Sequence, residues 1–187
     1  MFPSAGSRVD PFSVCSLQGE TLAIPAPSSL IHLQFRRFAG CPICSLHLRQ
    51  VAARIAEIRA AGIREVVFFH AGEEALRAHE VDRLPFACIA DPDKVWYRAF
   101  GIETSWRASF HPRALWAGLR SVLTTGRIPL RADHGLGGLP ADLLIAPDGT
   151  VLAARQGTHA ADQWGVDTLL ELASAFPASL PLTPIST

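Results

Sequence analysis

The sequence predicts an α/β fold: a central mixed β-sheet flanked by helices, opened by an N-terminal β-hairpin and carrying a helical insertion before the last hairpin. Three observations predict it. Short apolar runs alternate with segments of helical periodicity between residues 30 and 101. Near the end of the chain, two apolar runs are joined by Pro147–Asp148–Gly149, residue types suited to a tight turn. The 187 residues are 49% hydrophobic and only 18% charged, which suits one domain with a generous core.

The elements follow in order. Residues 1–11 read as a loose leader. "FSVCSLQGETLAI" reads as two short strands around a Gln18–Gly19 turn. After a Pro/Ser loop, "LIHLQF" is a short strand. From Cys44 the period changes: Cys44, Leu48, Val51, Ile55 and Ile58 recur at helical spacing, and Gly62 caps that helix. "IREVVFFH" is a near-continuous apolar run, as expected of a central strand covered on both faces. A short helix over 72–80 and the strand "FACIA" come next. "DPDKVWYRAFG" predicts a helix with Asp91 as N-cap, Pro92 at the first helical position and Gly101 as its end. Residues 103–138, with Trp106, Phe110 and Trp116, read as an insertion holding one helix and a Gly-rich exit. The hairpin "ADLLIAPDGTVLAARQG" and a helix from Val166 to Phe176 complete the pattern, before an irregular tail over 177–187. The order β-hairpin, β, α, β, α, β, α, insertion, β, β, α is that of a thioredoxin-like fold.

Composition narrows the function classes. Seventeen basic and seventeen acidic residues balance, which gives no electrostatic footprint for nucleic acid or an anionic membrane. No window approaches the ~18 uninterrupted apolar residues of a membrane span. "MFPSAGSRVD" lacks the basic start and apolar run of a signal peptide. Four cysteines are too few for a disulfide-stapled fold. A reducing, cytoplasmic setting is the expectation.

The stretch "QFRRFAGCPICSLHLRQ" carries the chemistry. Cys41 and Cys44 stand three apart, at the junction of a predicted strand and a predicted helix. A structural zinc site would need a second ligand pair at matching spacing, and Cys15, Cys88, His32 and His47 supply none. Two ordinary buried thiols are the plainer alternative, since cysteine packs well as a small hydrophobe. The placement favours redox chemistry instead. A helix N-terminus stabilises a thiolate through its unpaired N–H groups and its dipole. Three-residue spacing on the first turn brings both sulfurs to one side, within reach of a disulfide. Pro42 at the start of the helix costs no hydrogen bond and stiffens the turn. Arg36 and Arg37 could add positive potential, although alternation along a strand lets only one face the site. His70, His111, His134 and His159 are scattered, Trp96, Trp106, Trp116 and Trp164 suit packing, and Cys15 and Cys88 read as buried and inert.

"FRRFAGCPIC" with its long helix, "DPDKVWYRAFGI" and "GLPADLLIAPDGTVL" together resemble the peroxiredoxin-like branch of the AhpC/TSA group in the thioredoxin superfamily, here of a Cys-x-x-Cys type. The resemblance covers roughly residues 10–102 and 137–175. It implies that Leu139–Pro140 matches the superfamily's cis-proline beside the dithiol. The pattern also departs from the family. Typical peroxiredoxins carry Pro-x-x-x-Thr/Ser-x-x-Cys; if Cys44 aligns with the peroxidatic cysteine, Cys41 replaces the hydroxyl residue. If thioredoxin is the better guide, Cys41 is the nucleophile.

The resemblance implies a thiol peroxidase that reduces hydrogen or organic peroxides through a Cys41/Cys44 dithiol–disulfide cycle, with no metal or organic cofactor. Its partners would be a peroxide and a thiol reductant, either thioredoxin-like or of low molecular weight; a homodimer stays open. Two other functions compete. One is a dithiol–disulfide oxidoreductase acting on proteins. The other is a non-catalytic binding module that uses the aromatic insertion to hold a partner.

Overall fold

The computed structural model describes residues 1–37, 40, 42–102, 139–159 and 162–176. Among the described residues there are seven strands: β1 (Phe12–Cys15), β2 (Thr21–Ile24), β3 (Leu30–Arg36), β4 (Ile63–Phe69), β5 (Ala87–Ala90), β6 (Ala141–Ile145) and β7 (Val151–Gln156). The helices are α1 (Pro42–Ala53), α2 (Ile55–Ala60), α3 (Glu73–Ala78), α4 (Val95–Ala99) and α5 (Val166–Ser174). β1 and β2 form their own antiparallel hairpin, with Phe12 opposite Ile24. The main sheet runs β5-β4-β3-β6-β7, with β3, β4 and β5 parallel and β6 and β7 antiparallel. This is the mixed, helix-flanked sheet of the thioredoxin-like class.

Strand alternation divides the core in two. Ile31, Leu33 and Phe35 of β3 join Val66 and Phe68 of β4 on one face, under the β1–β2 hairpin and α4. Val67 and Phe69 point to the other face, against Leu48 and Val51 of α1, Ile58 of α2, Leu76 of α3 and Leu169 of α5. β4 is buried on both faces, as its apolar run requires.

Four expectations are corrected. The segment 1–11 is docked rather than loose: Gly6 N–H donates to Val151 O at 2.8 Å and Val9 N–H to Gly149 O at 2.9 Å. The helix after Cys44 is two helices, because at Arg54 the amide bonds back three residues, to Val51 O at 3.1 Å, and its φ of −115° leaves the helical range. The fourth helix starts at Val95, not at Pro92. Lys94 takes a left-handed backbone (φ 54°) and turns the chain between the proline and the helix. Asp91 still caps it, its carboxylate accepting from the N–H groups of Val95, Trp96 and Tyr97 at 2.8, 2.9 and 3.3 Å. Cys15 is exposed at the end of a surface hairpin strand. The insertion 103–138 and the tail 177–187 lie outside the described residues. Among the described residues, no helix is long and apolar enough to cross a membrane.

Candidate active site

β3 delivers the site. It ends at Arg36, and α1 starts at Pro42, after a junction of residues 37–41 in the chain. Substrates of open α/β sheets bind beyond the carboxyl ends of the strands, where such junctions converge. Cys44 lies in the first turn of α1 and is only 2% exposed. It lines a small cavity of about 100 Å³ with Gly40, Arg49, Phe69 and His79. Cys41 lies outside the described residues, as do the side chains of Pro42 and Ile43.

Tyr97 reaches the same corner from the opposite face. Its hydroxyl is directed at the carbonyl of Arg36 and, at 3.0 Å, at that of Phe68, so it ties together the ends of β3 and β4. Burial, and then the nearby negative charge of a Cys44 thiolate and of Asp91, pushes the Tyr97 phenol well above its ordinary range. The phenol is therefore a fixed donor at neutral pH.

Beneath α1 the sheet carries a polar cluster that is wholly buried. His32, Gln34 and Arg36 are successive same-face residues of β3. His32 Nδ1 donates to Glu65 at 2.9 Å and Nε2 to Asp142 Oδ1 at 3.2 Å. Gln34 donates to Glu65 and accepts from Arg36 Nη2 at 2.6 Å. Arg36 Nη2 also donates to Asp142 Oδ1 at 2.5 Å and lies 3.3 Å from His47 Nε2 on α1. Asp142 Oδ2 accepts from the Trp164 amide at 3.3 Å, and the Trp164 ring stacks on His32. Two cations thus meet two carboxylates.

The electrostatics follow from that pairing. Burial alone would lower the His32 pKa, but the charges and hydrogen bonds of Glu65 and Asp142 reverse this and carry it to about 9. Burial opposes ionisation of Asp142, yet Arg36 and His32 hold its carboxyl well below the usual carboxylate range. Burial and then the Arg36 charge push His47 down to about 3, so it is a neutral acceptor for Arg36.

The site residues expected from sequence are only partly brought together. Arg36 is buried beside the junction, but its guanidinium is bonded to Asp142 and Gln34 rather than aimed outward. Arg37 is 5% exposed at the start of the junction. Pro140 borders β3 through Ala141, which pairs with Phe35. Its peptide bond is trans, which corrects the expected cis geometry; among the described residues only Ile24–Pro25 is cis. The trans form is the lower-energy default for X–Pro, and here the Pro140 carbonyl extends the β6–β7 ladder by accepting from Gly157 N–H at 2.8 Å. Cys88 is buried, and burial, followed by the Asp82 charge, pushes its thiol up to about 12, the inert state expected of it.

Sequence reasoning missed His32, Gln34, Glu65, His47 and Asp142. The signal was present: "IHLQFR" alternates apolar and polar residues, yet sits in a strand that crossover helices must cover on both faces.

No family model matches the chain. No curated protein matches it. Solved structures do resemble it. The peroxidoxin BcpB of Mycobacterium tuberculosis superposes with a TM-score of 0.65 at 14% identity, over 92% of this chain and 97% of that one. Xanthomonas campestris peroxiredoxin Q gives 0.62 at 16% identity, over 94% and 96%. Mycobacterium tuberculosis AhpC gives 0.64 at 11% identity, over 94% and 93%. At these identities the likeness establishes a shared fold, the thioredoxin-like fold of peroxiredoxins.

Proposed function

We propose that this chain is a thiol-dependent peroxidase working through Cys41 and Cys44 in a cytoplasmic, reducing setting. The observation that carries the reading is the position of Cys44, in the first turn of the helix that follows the central strand, within a fold shared with peroxiredoxins. The Cys41 thiolate attacks one peroxide oxygen, the O–O bond breaks, and the departing alkoxide or hydroxide takes up a proton. Cys41 is then a sulfenic acid. Cys44 sulfur attacks it, water leaves, and a Cys41–Cys44 disulfide forms. An external dithiol, or two small thiols, reduces that bond and is itself oxidised. Cys41, nearest the helix mouth, takes the attacking role. Cys44, almost wholly buried, suits the resolving role, because it need meet no outside molecule. No metal or organic cofactor enters the cycle.

One observation favours a second reading. Cys41-Pro42-Ile43-Cys44 has a spacing suited to dithiol exchange with protein disulfides, and Cys41 would replace the family's threonine or serine if Cys44 were the peroxidatic cysteine. Stopped-flow oxidation of the reduced protein by hydrogen peroxide and by an alkyl hydroperoxide separates the two. The peroxidase reading expects rapid oxidation, with mass spectrometry finding the Cys41–Cys44 disulfide and Cys15 and Cys88 unmodified. Slow oxidation by peroxide beside fast reduction of insulin disulfides would instead make it a protein oxidoreductase. Sulfenic acid is expected to accumulate in Cys44→Ser and not in Cys41→Ser; the reverse exchanges the two roles.

A further inference from the structure

Gly40 ends the junction between β3 and the dithiol with a left-handed backbone, φ +74°. A methyl group on it would lie 2.6 Å from Cε1 and 2.7 Å from Nε2 of His79, so the glycine is seated directly on that ring. His79 follows the last turn of α3 and is exposed. Glu80, the next residue, is also left-handed at φ 58°, which few non-glycine residues adopt. Gly40, His79 and Glu80 all line the Cys44 cavity. Strained backbone of this kind persists where the surroundings hold it, and it clusters at working sites.

We propose that His79 is a positioning residue for the dithiol: its ring seats Gly40, the residue before Cys41, and so sets how readily the Cys41–Cys44 bond closes. The inference rests on that pair being the redox centre, not on peroxide being its oxidant. A disulfide forms only when the two Cβ atoms come within a narrow range of separation. Tyr97 fixes the junction at its start by holding the Arg36 carbonyl. His79 fixes it at its end. Without the ring, the backbone before Cys41 samples more conformations, and the effective concentration of one thiol at the other falls.

The test is a redox titration of the intact protein with glutathione: protein dithiol plus one glutathione disulfide gives protein disulfide plus two glutathione thiols. His79→Ala is expected to lower that equilibrium constant about tenfold, a shift of about 30 mV for a two-electron couple. His79→Phe, which keeps a ring against Gly40, should stay within about twofold of the parent. Gly40→Ala should lower the constant in the parent and lose the part of that effect due to the ring in the His79→Ala background, keeping the part that any side chain incurs on a left-handed backbone. An unchanged constant in His79→Ala, or additive effects of the two substitutions, overturns the inference. Far-UV circular dichroism checks each variant. If His79→Ala does not fold, Gly40→Ala is compared between the parent and His79→Phe, and loss of its effect there overturns the inference equally. Peroxide turnover is measured alongside. Turnover absent with the redox shift intact removes the peroxidase reading alone; turnover present with the constant unchanged removes only the role of His79.

Discussion

His32 and His47 are buried on the same side of β3 and carry opposite perturbations, and the difference lies in what faces them. His32 sits between Glu65 and Asp142; His47 sits against Arg36. Their consequences for stability have opposite signs. The folded pKa of His32 is raised from 6.5 to about 9, so its contribution is complete below pH 6.5 and is lost as pH rises through 9. The folded pKa of His47 is lowered from 6.5 to about 3, so the unfolded chain binds the extra proton, and stability falls as pH drops from 6.5 toward 3. For these two groups together, urea unfolding should show greatest stability near pH 6.5, with each arm amounting to a few kcal/mol at most. His32→Gln should flatten the alkaline arm and leave the acid arm in place. Asp142 holds both cations, so Asp142→Ala should cost about 3–5 kcal/mol by strand-buried charge left unpaired, read as a lower urea midpoint at pH 7. None of this pairing could be read from spacing. Glu65, Asp142 and His32 are scattered in the chain, and only register brings them together.

Among the elements, α4 shows how residue type and boundary can come apart. Asp91, Pro92 and Gly101 read as cap, first helical residue and stop; the cap holds and the place of the proline does not. The start moved to Val95 because Lys94 adopts a left-handed conformation, which nothing in its chemistry announces. That strain gives a prediction: Lys94→Gly should stabilise the protein by about 1 kcal/mol in thermal or urea unfolding, since glycine adopts this backbone without a Cβ clash. Asp91→Ala should cost about 1–2 kcal/mol, because three amides lose their acceptor at once. The break between α1 and α2 was equally hidden. Leu48, Val51, Ile55 and Ile58 keep an apolar stripe through it, so periodicity read one helix where the backbone makes two. The dithiol junction was legible as an element boundary, since an apolar strand ends and a helical period begins there. Its neighbours, Tyr97 from the far face and His79 just past α3, were not, because both arrive through tertiary packing.

The strand directions of the whole molecule were foreseeable from the alternation of elements, because crossover helices let neighbouring strands run parallel and the Pro147–Asp148–Gly149 turn makes the last pair run antiparallel; the spatial order β5-β4-β3-β6-β7 was not. Protection should follow that order. Amide hydrogen exchange is expected to be slowest in β3 and in the parts of β4 and β6 paired with it. The β1–β2 hairpin, outside the main sheet, should exchange faster. Equal protection of the hairpin and β3 would mean that the two sheets open as one unit.

β3 also has two unlike faces, with His32, Gln34 and Arg36 on one and Ile31, Leu33 and Phe35 on the other. A shift of one residue against β4 would exchange them, pressing a guanidinium and an imidazole into the aromatic layer of Phe68 and Tyr97 while facing Glu65 and Asp142 with hydrocarbon. An all-apolar strand would register such an error only as imperfect packing. Here the misaligned chain would strand four charges out of water, so the cluster acts as a key that admits a single alignment. The strand that leads toward the helix of Cys44 can therefore end at only one place.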